Sequence, residues 1–146
     1  MKIQIQLDSQ CEEPEILIRT AAVTAEIREL VEKLSEKRSD SVVGYDADSA
    51  VLLEKSQIIR IYGASQKVYA QTPQGKFCLR QRLYELEQLL DEKTFVLISK
   101  SEIINLHFVR RLDLGITGTI GMQLKNGETA YVSRRYVNHI KSILGL

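Results

Sequence analysis

Asn126-Gly127 stands between two short apolar runs, Ile120-Gly121-Met122-Gln123-Leu124 and Ala130-Tyr131-Val132. An Asn-Gly pair supplies the two positive-φ residues of a type I′ turn, so this segment is predicted to be a β-hairpin. The stretch before it is built the same way. Ile58-Ile59-Arg60-Ile61-Tyr62 and Lys67-Val68-Tyr69-Ala70-Gln71 read as strands. Pro73-Gln74-Gly75 is turn chemistry leading into Lys76-Phe77-Cys78-Leu79. Further strands are expected from Phe95 to Ile98 and from Phe108 to Leu114. Leu79, Leu83, Leu86 and Leu90 recur at helical spacing, as do Tyr136, Val137, Ile140 and Leu144 after Ser133, which can cap a last helix. Residues 45–146 are therefore expected to be mainly β, a meander of short strands with two short helices. Strands occupy the region where the recognition helix of a helix-turn-helix would be sought.

Residues 1–44 differ. Lys2 to Leu7 alternate polar with apolar, Ile16-Leu17-Ile18 is a second short apolar run, and Pro14 lies in the polar turn between them. From Val23 the period lengthens: Val23, Ile27, Leu30, Val31 and Leu34 share one face of a helix over 22–38. Its other face carries Glu26, Glu29, Glu32, Lys33, Glu36 and Lys37, and Ser39-Asp40-Ser41 with Gly44 break the pattern. The expectation is a strand–strand–helix α/β appendage, too small for its own core, serving dimerisation or partner binding.

At 146 residues and 44% hydrophobic, the chain can bury one proper core. The net charge of +1 gives no sign of an anionic partner, but it averages two unlike parts. Residues 1–44 hold 6 Lys/Arg against 9 Asp/Glu, and residues 45–146 hold 14 against 10. The second part is mildly basic, which permits contact with DNA without demanding it. Cys11 and Cys78 are too few and too far apart for a disulfide framework or a zinc site, and read as reduced thiols. The polar start is unlike a signal peptide, and no apolar run approaches the roughly 18 residues that span a bilayer. A cytoplasmic location is expected.

The motifs of catalysis are missing. His107 and His139 are far apart and neither lies in an HExxH pattern. Gly115, Gly118 and Gly121 recur every third residue, but no phosphate-binding glycine loop follows a strand into a helix, and a bulged hairpin arm explains them better. No serine lies in a GxSxG elbow. No catalytic residue, metal, cofactor or small-molecule substrate is expected.

Three stretches, in order and in register, resemble the LytTR DNA-binding domain of bacterial response regulators and related proteins. The first runs from Ile58 through Gly63-Ala64-Ser65-Gln66 to Tyr69. The second is Phe95-Val96-Leu97-Ile98-Ser99-Lys100-Ser101-Glu102-Ile103-Ile104-Asn105-Leu106. The third is Leu124-Lys125-Asn126-Gly127 continuing into Val132-Ser133-Arg134-Arg135-Tyr136-Val137. Together they cover about residues 50–146.

By position, the resemblance implies a DNA-reading group at Gln66 with Lys67 beside it. It implies another at Lys100 flanked by Ser99 and Ser101, and a major-groove arginine at Arg135 with Arg134 as its neighbour. One departure stands out: Leu97 occupies the place, two after the aromatic, where the family usually has a basic residue. Physical chemistry gives these residues a plain alternative beside the functional one. Arg134 and Arg135 fall at a helix start, where the macrodipole disfavours cations by about 0.3–1 kcal/mol. They either grip guanine or phosphate, or are simply solvated. Lys100 between two serines suits phosphate oxygens, or is an ordinary polar loop. Gln66 can pair with adenine, or face solvent. Asn105 is expected to brace its loop rather than read a base.

The resemblance further implies a transcription regulator on double-stranded DNA with repeated half-sites, bound by a homodimer. Small stand-alone members are often restrained by a membrane protein. The 44 residues before the domain are too few for a phosphorylatable receiver. The competing reading is a protein-interaction module that kept the fold and lost DNA binding.

Overall fold

The computed structural model describes residues 1–35, 40–115 and 117–146. Glu36, Lys37 and Ser39, assigned above to the first helix and the break after it, lie outside them. The chain forms two compact units, residues 1–37 and residues 38–146.

In the first unit, α1 (Ala25–Ser35) forms where the 3.6-residue period begins. Thr24 caps it, its hydroxyl accepting from the Ile27 N–H at 3.3 Å. The two strands expected before it do not form: residues 2–7 and 16–18 are in no strand. Alternation only makes one edge of a possible ladder, and an isolated pair of short strands is marginal in water. The apolar stripe of α1 stays open, with Val31 44% and Leu34 51% exposed.

Among its described residues the second unit holds ten strands, all paired antiparallel. β1 (Ser41–Asp46), β2 (Ser49–Glu54), β3 (Arg60–Ala64), β4 (Lys67–Thr72), β5 (Gly75–Leu79), β6 (Phe95–Ser99) and β7 (Glu102–Asn105) make one sheet in the order β2-β1-β5-β4-β3-β7-β6. β8 (Val109–Asp113), β9 (Ile120–Leu124) and β10 (Thr129–Val132) make a second, in the order β10-β9-β8. α2 (Leu83–Leu89) and α3 (Val137–Leu144) complete the unit.

Strand alternation sends neighbouring residues into two different cores. Ile61, Ala70, Leu79 and Ile103 pack under Leu86 and Leu90 at α2. Val96, Ile98 and Ile104 pack against Ile120, Met122 and Val132 of the second sheet and Ile140 of α3. Ile103 and Ile104 are both almost wholly buried, one in each core. Asn105 is buried too, and it braces as expected. Its amide Nδ2 donates to the Ile58 carbonyl at 2.8 Å, and its Oδ1 accepts from the His107 N–H at 2.9 Å.

Four local expectations are corrected. Leu79 belongs to β5, opposite Val68, and α2 starts only at Leu83. Ser133 precedes the last helix, but its side chain makes no cap hydrogen bond. Asn126-Gly127 is not a type I′ turn, because only Gly127 has positive φ, at 89°. The Gly127 N–H bonds the Leu124 carbonyl at 3.0 Å and the Leu124 N–H bonds the Glu128 carbonyl at 2.8 Å. That is a three-residue loop whose glycine takes the left-handed position. Gly44, read as a break, is the buried centre of β1, opposite Val51. The boundary expected at 44/45 thus falls inside a strand.

Gly44 is there for space. A Cβ would meet Leu53 Cδ1 at 2.6 Å and Phe77 Cβ at 2.8 Å. Gly44→Ala is expected to destabilise the fold by about 1–3 kcal/mol, the range for overpacking. Urea unfolding checks it; an unchanged midpoint would show that the site gives way freely.

Candidate nucleic-acid interface

The three segments singled out in the sequence meet at one end of the seven-stranded sheet. Gln66 and Lys67 lie at the β3–β4 hairpin, whose tip is Ser65-Gln66. Lys100 and Ser101 are the two-residue turn between β6 and β7, with Ser99 closing β6. Since β3 pairs with β7, these hairpins are neighbours, and the Gly63 N–H donates to the Ser101 carbonyl at 2.8 Å across their tips. Arg134 and Arg135 lie in a single 3₁₀ turn (Arg134–Tyr136) that leads into α3. The Ser133 N–H donates to the Ile98 carbonyl at 2.8 Å, which sets that turn against the last residues of β6.

Within this cluster Gln66, Lys67, Lys100, Ser101, Arg134 and Arg135 are exposed and Ser99 is half-buried. Ser99 Oγ is engaged locally, accepting from the Ser101 N–H at 3.2 Å, so its first task is to shape the turn. The arginines begin with a 3₁₀ turn rather than the α-helical turn expected, and the Tyr136 N–H bonds the Ser133 carbonyl at 2.9 Å. Leu97 takes no part. It is half-buried against the core under α2, on the same strand face as Phe95.

Two features here were not read from the sequence. The type I′ geometry assigned to Asn126-Gly127 occurs instead at Ser65-Gln66, with φ of 50° and 64°. Residues with a Cβ enter this region at a cost of roughly 1–2 kcal/mol each, and such strain concentrates at functional tips. Gly118, with φ of 77°, makes room for Arg134: a Cβ there would lie 3.1 Å from Arg134 Nε. The three-residue glycine recurrence drew attention to Gly118 but could not reveal its neighbour, sixteen residues on.

An ion network borders the cluster. Arg60 bonds Glu128 at 2.6 Å, Gln71 at 2.7 Å and Glu102 at 3.4 Å, and Gln71 Nε2 bonds Glu128 at 3.0 Å. It ties the β9–β10 hairpin loop to the face of β3, β4 and β7. Burial raises the Glu102 carboxyl above its ordinary pKa; Arg60 opposes that rise and Glu128 adds to it. Among the described residues no group of three or more His, Cys, Asp or Glu could hold a metal ion.

The family model described as the LytTr DNA-binding domain matches residues 48–145. Uncharacterised HTH-type transcriptional regulators of Staphylococcus aureus strains MSSA476 and MW2 are each 32% identical over 147 residues, covering 100% of this chain and 99% of theirs. A solved LytTr DNA-binding domain, from a protein described as a methyl-accepting/DNA response regulator of Bacillus cereus, superposes with a TM-score of 0.72. It is 21% identical and covers 74% of this chain and 99% of its own, a likeness of fold.

If the strain at Ser65-Gln66 serves contact rather than folding, stability and binding should part company on relieving it. Gln66→Gly is expected to stabilise the fold by about 1 kcal/mol and to weaken DNA binding. Thermal unfolding and a binding titration on one preparation check both, and a variant that gained stability with DNA affinity intact would remove Gln66 from the interface.

Proposed function

Because the chain belongs to the LytTR DNA-binding domain family, we propose that it is a sequence-specific transcriptional regulator. It contacts the major groove through two hairpin tips and a helix start, with no catalytic step. One observation carries this reading. Two backbone hydrogen bonds, Gly63 to Ser101 and Ser133 to Ile98, gather Gln66, Lys67, Ser99, Lys100, Ser101, Arg134 and Arg135 at one sheet end. Lys100 and Arg134 hold phosphates and fix the register, while Arg135 and Gln66 read base edges.

The protein binds repeated half-sites as a homodimer and acts in the cytoplasm. No helix among its described residues is long and apolar enough to cross a membrane. The open stripe of α1, with Val31 and Leu34 exposed, is the dimerisation surface. Leu34→Glu is expected to convert dimers to monomers in light scattering, leaving the fold of residues 38–146 intact. A dimer that survived would free the stripe for another partner, such as a restraining membrane protein, which pull-down from membranes with and without the substitution would detect.

Selection of bound duplexes from random DNA tests the central claim, with recovery of paired half-sites expected. Arg135→Ala should weaken selected DNA by about 1–3 kcal/mol and relax one base pair, whereas Lys100→Ala should weaken all DNA alike and lower the salt slope by about one. Equal loss on selected and random duplexes would make Arg135 a phosphate contact. An affinity that fell less than about tenfold from 50 to 200 mM salt would favour the protein-interaction reading instead.

A further inference from the structure

The face of the seven-stranded sheet away from α2 continues past the hairpin tips and carries, beside Lys67, two cations not yet assigned a task. Residues directly opposite on paired strands share a face. The pairs Arg60–Gln71, Tyr62–Tyr69, Gln71–Lys76, Tyr69–Cys78 and Tyr45–Cys78 therefore lie on one side. Near β6 and β7 that side is covered by the second sheet. From β4 outward it presents Lys67, Lys76 and, one residue after β5, Arg80, all exposed.

Two of these cations are seated on rings. The Arg80 guanidinium carbon is 4.0 Å from the Tyr45 ring centroid. Lys76 Nζ is 5.1 Å from the Tyr69 centroid and 6.0 Å from that of Tyr62. Neither Arg80 nor Lys76 has a carboxylate partner among the described residues. Arg60 makes the contrast: it also lies over Tyr62, at 5.5 Å, but two carboxylates neutralise it. Of the acids on this face, Glu102 and Glu128 are thus engaged, and Glu54 lies at the far edge on β2.

We infer that Arg80 and Lys76 form a phosphate track that holds the backbone of duplex DNA flanking the segment gripped by the hairpin tips. The inference rests on the DNA reading of that end. Ring-seated cations keep their charge while losing conformational freedom, so they meet a polyanion partly pre-ordered. Single-stranded nucleic acid fits less well, since bases need bare ring faces to stack on and these faces are taken. The spacing suits a duplex. Arg80 follows β5, three strand positions from the β7 tip, roughly 14 Å at 4.8 Å per strand. At 3.4 Å per base pair, this is about four base pairs beyond Lys100.

The test uses the full chain and a selected duplex, first with long flanks and then with flanks trimmed stepwise. Arg80→Ala is expected to bind the long duplex about fivefold more weakly at 0.15 M salt, with a salt slope lower by about 0.9, the share of one phosphate contact. Lys76→Ala should behave likewise. The deficit should vanish once trimming removes base pairs beyond about four from the hairpin contacts. Tyr45→Leu should reproduce part of the loss and Tyr45→Phe, which keeps the ring, should not. Wild-type binding to the long duplex with Arg80→Ala and Arg80→Glu unimpaired would overturn the track alone. Failure of the wild type on every duplex would overturn the DNA reading and the track with it. Loss of poly-glutamate binding by Arg80→Ala, with DNA binding unchanged, would assign the face to an acidic protein and overturn the track.

Discussion

The hydrogen bond from the Ser133 N–H to the Ile98 carbonyl joins two sheets that share no strand. Ile98 can accept it because it lies in a bulge: Leu97 pairs with Ile103 and Ser99 with Glu102, which leaves Ile98 without an opposite residue. An edge strand with a free carbonyl is an invitation to unwanted pairing. Here the end of β10 uses that carbonyl, and the same contact presses Ile98 and Val132 into one core. The arginine turn begins at the next residue. Its position beside the β6–β7 hairpin therefore depends on a single irregularity in β6.

Much of this was legible in the sequence, and what was not has physical causes. β3 and β4 showed as apolar runs because both alternate cleanly over a covered face. β7 was hidden: Ile103, Ile104 and Asn105 are all buried, so it has no alternation to read. β1 and β2 were hidden differently. Gly44 looked like punctuation, although its missing side chain is what lets Leu53 and Phe77 close over the strand. The Asn-Gly pair marked a hairpin correctly but not its turn type. Loop length decides the turn, and length depends on where pairing stops.

The candidate interface was legible residue by residue but not as a surface. Local sequence indicated that Lys100 lies in a turn and that Arg134 and Arg135 come just before the apolar face of the last helix, though not that they form a 3₁₀ turn of their own. It could not indicate that these turns adjoin, since this depends on β3 pairing with β7 and on the Ser133 contact. Leu97 shows the limit from the other side. By motif it stood in a DNA-facing place, yet strand parity puts it with Phe95 against the core under α2. A basic residue there would have to snorkel out along the sheet edge, so its replacement by leucine exchanges one possible contact for packing.

Net charge misleads for a related reason. A chain at +1 appears indifferent to polyanions, but the field a phosphate meets depends on which charges are already paired. Arg60 contributes little outward, because Glu102 and Glu128 hold it. Arg134 and Arg135 lie in the 3₁₀ turn that leads into α3, at the end of the helix where a stabilising design would place an acid. Gly118 leaves room for Arg134 in a left-handed backbone that glycine adopts without strain. The strained Ser65-Gln66 tip is a second departure from the rules of stable folding at the same sheet end. Departures of this kind collected at one place are what a surface shaped by binding rather than by stability would show.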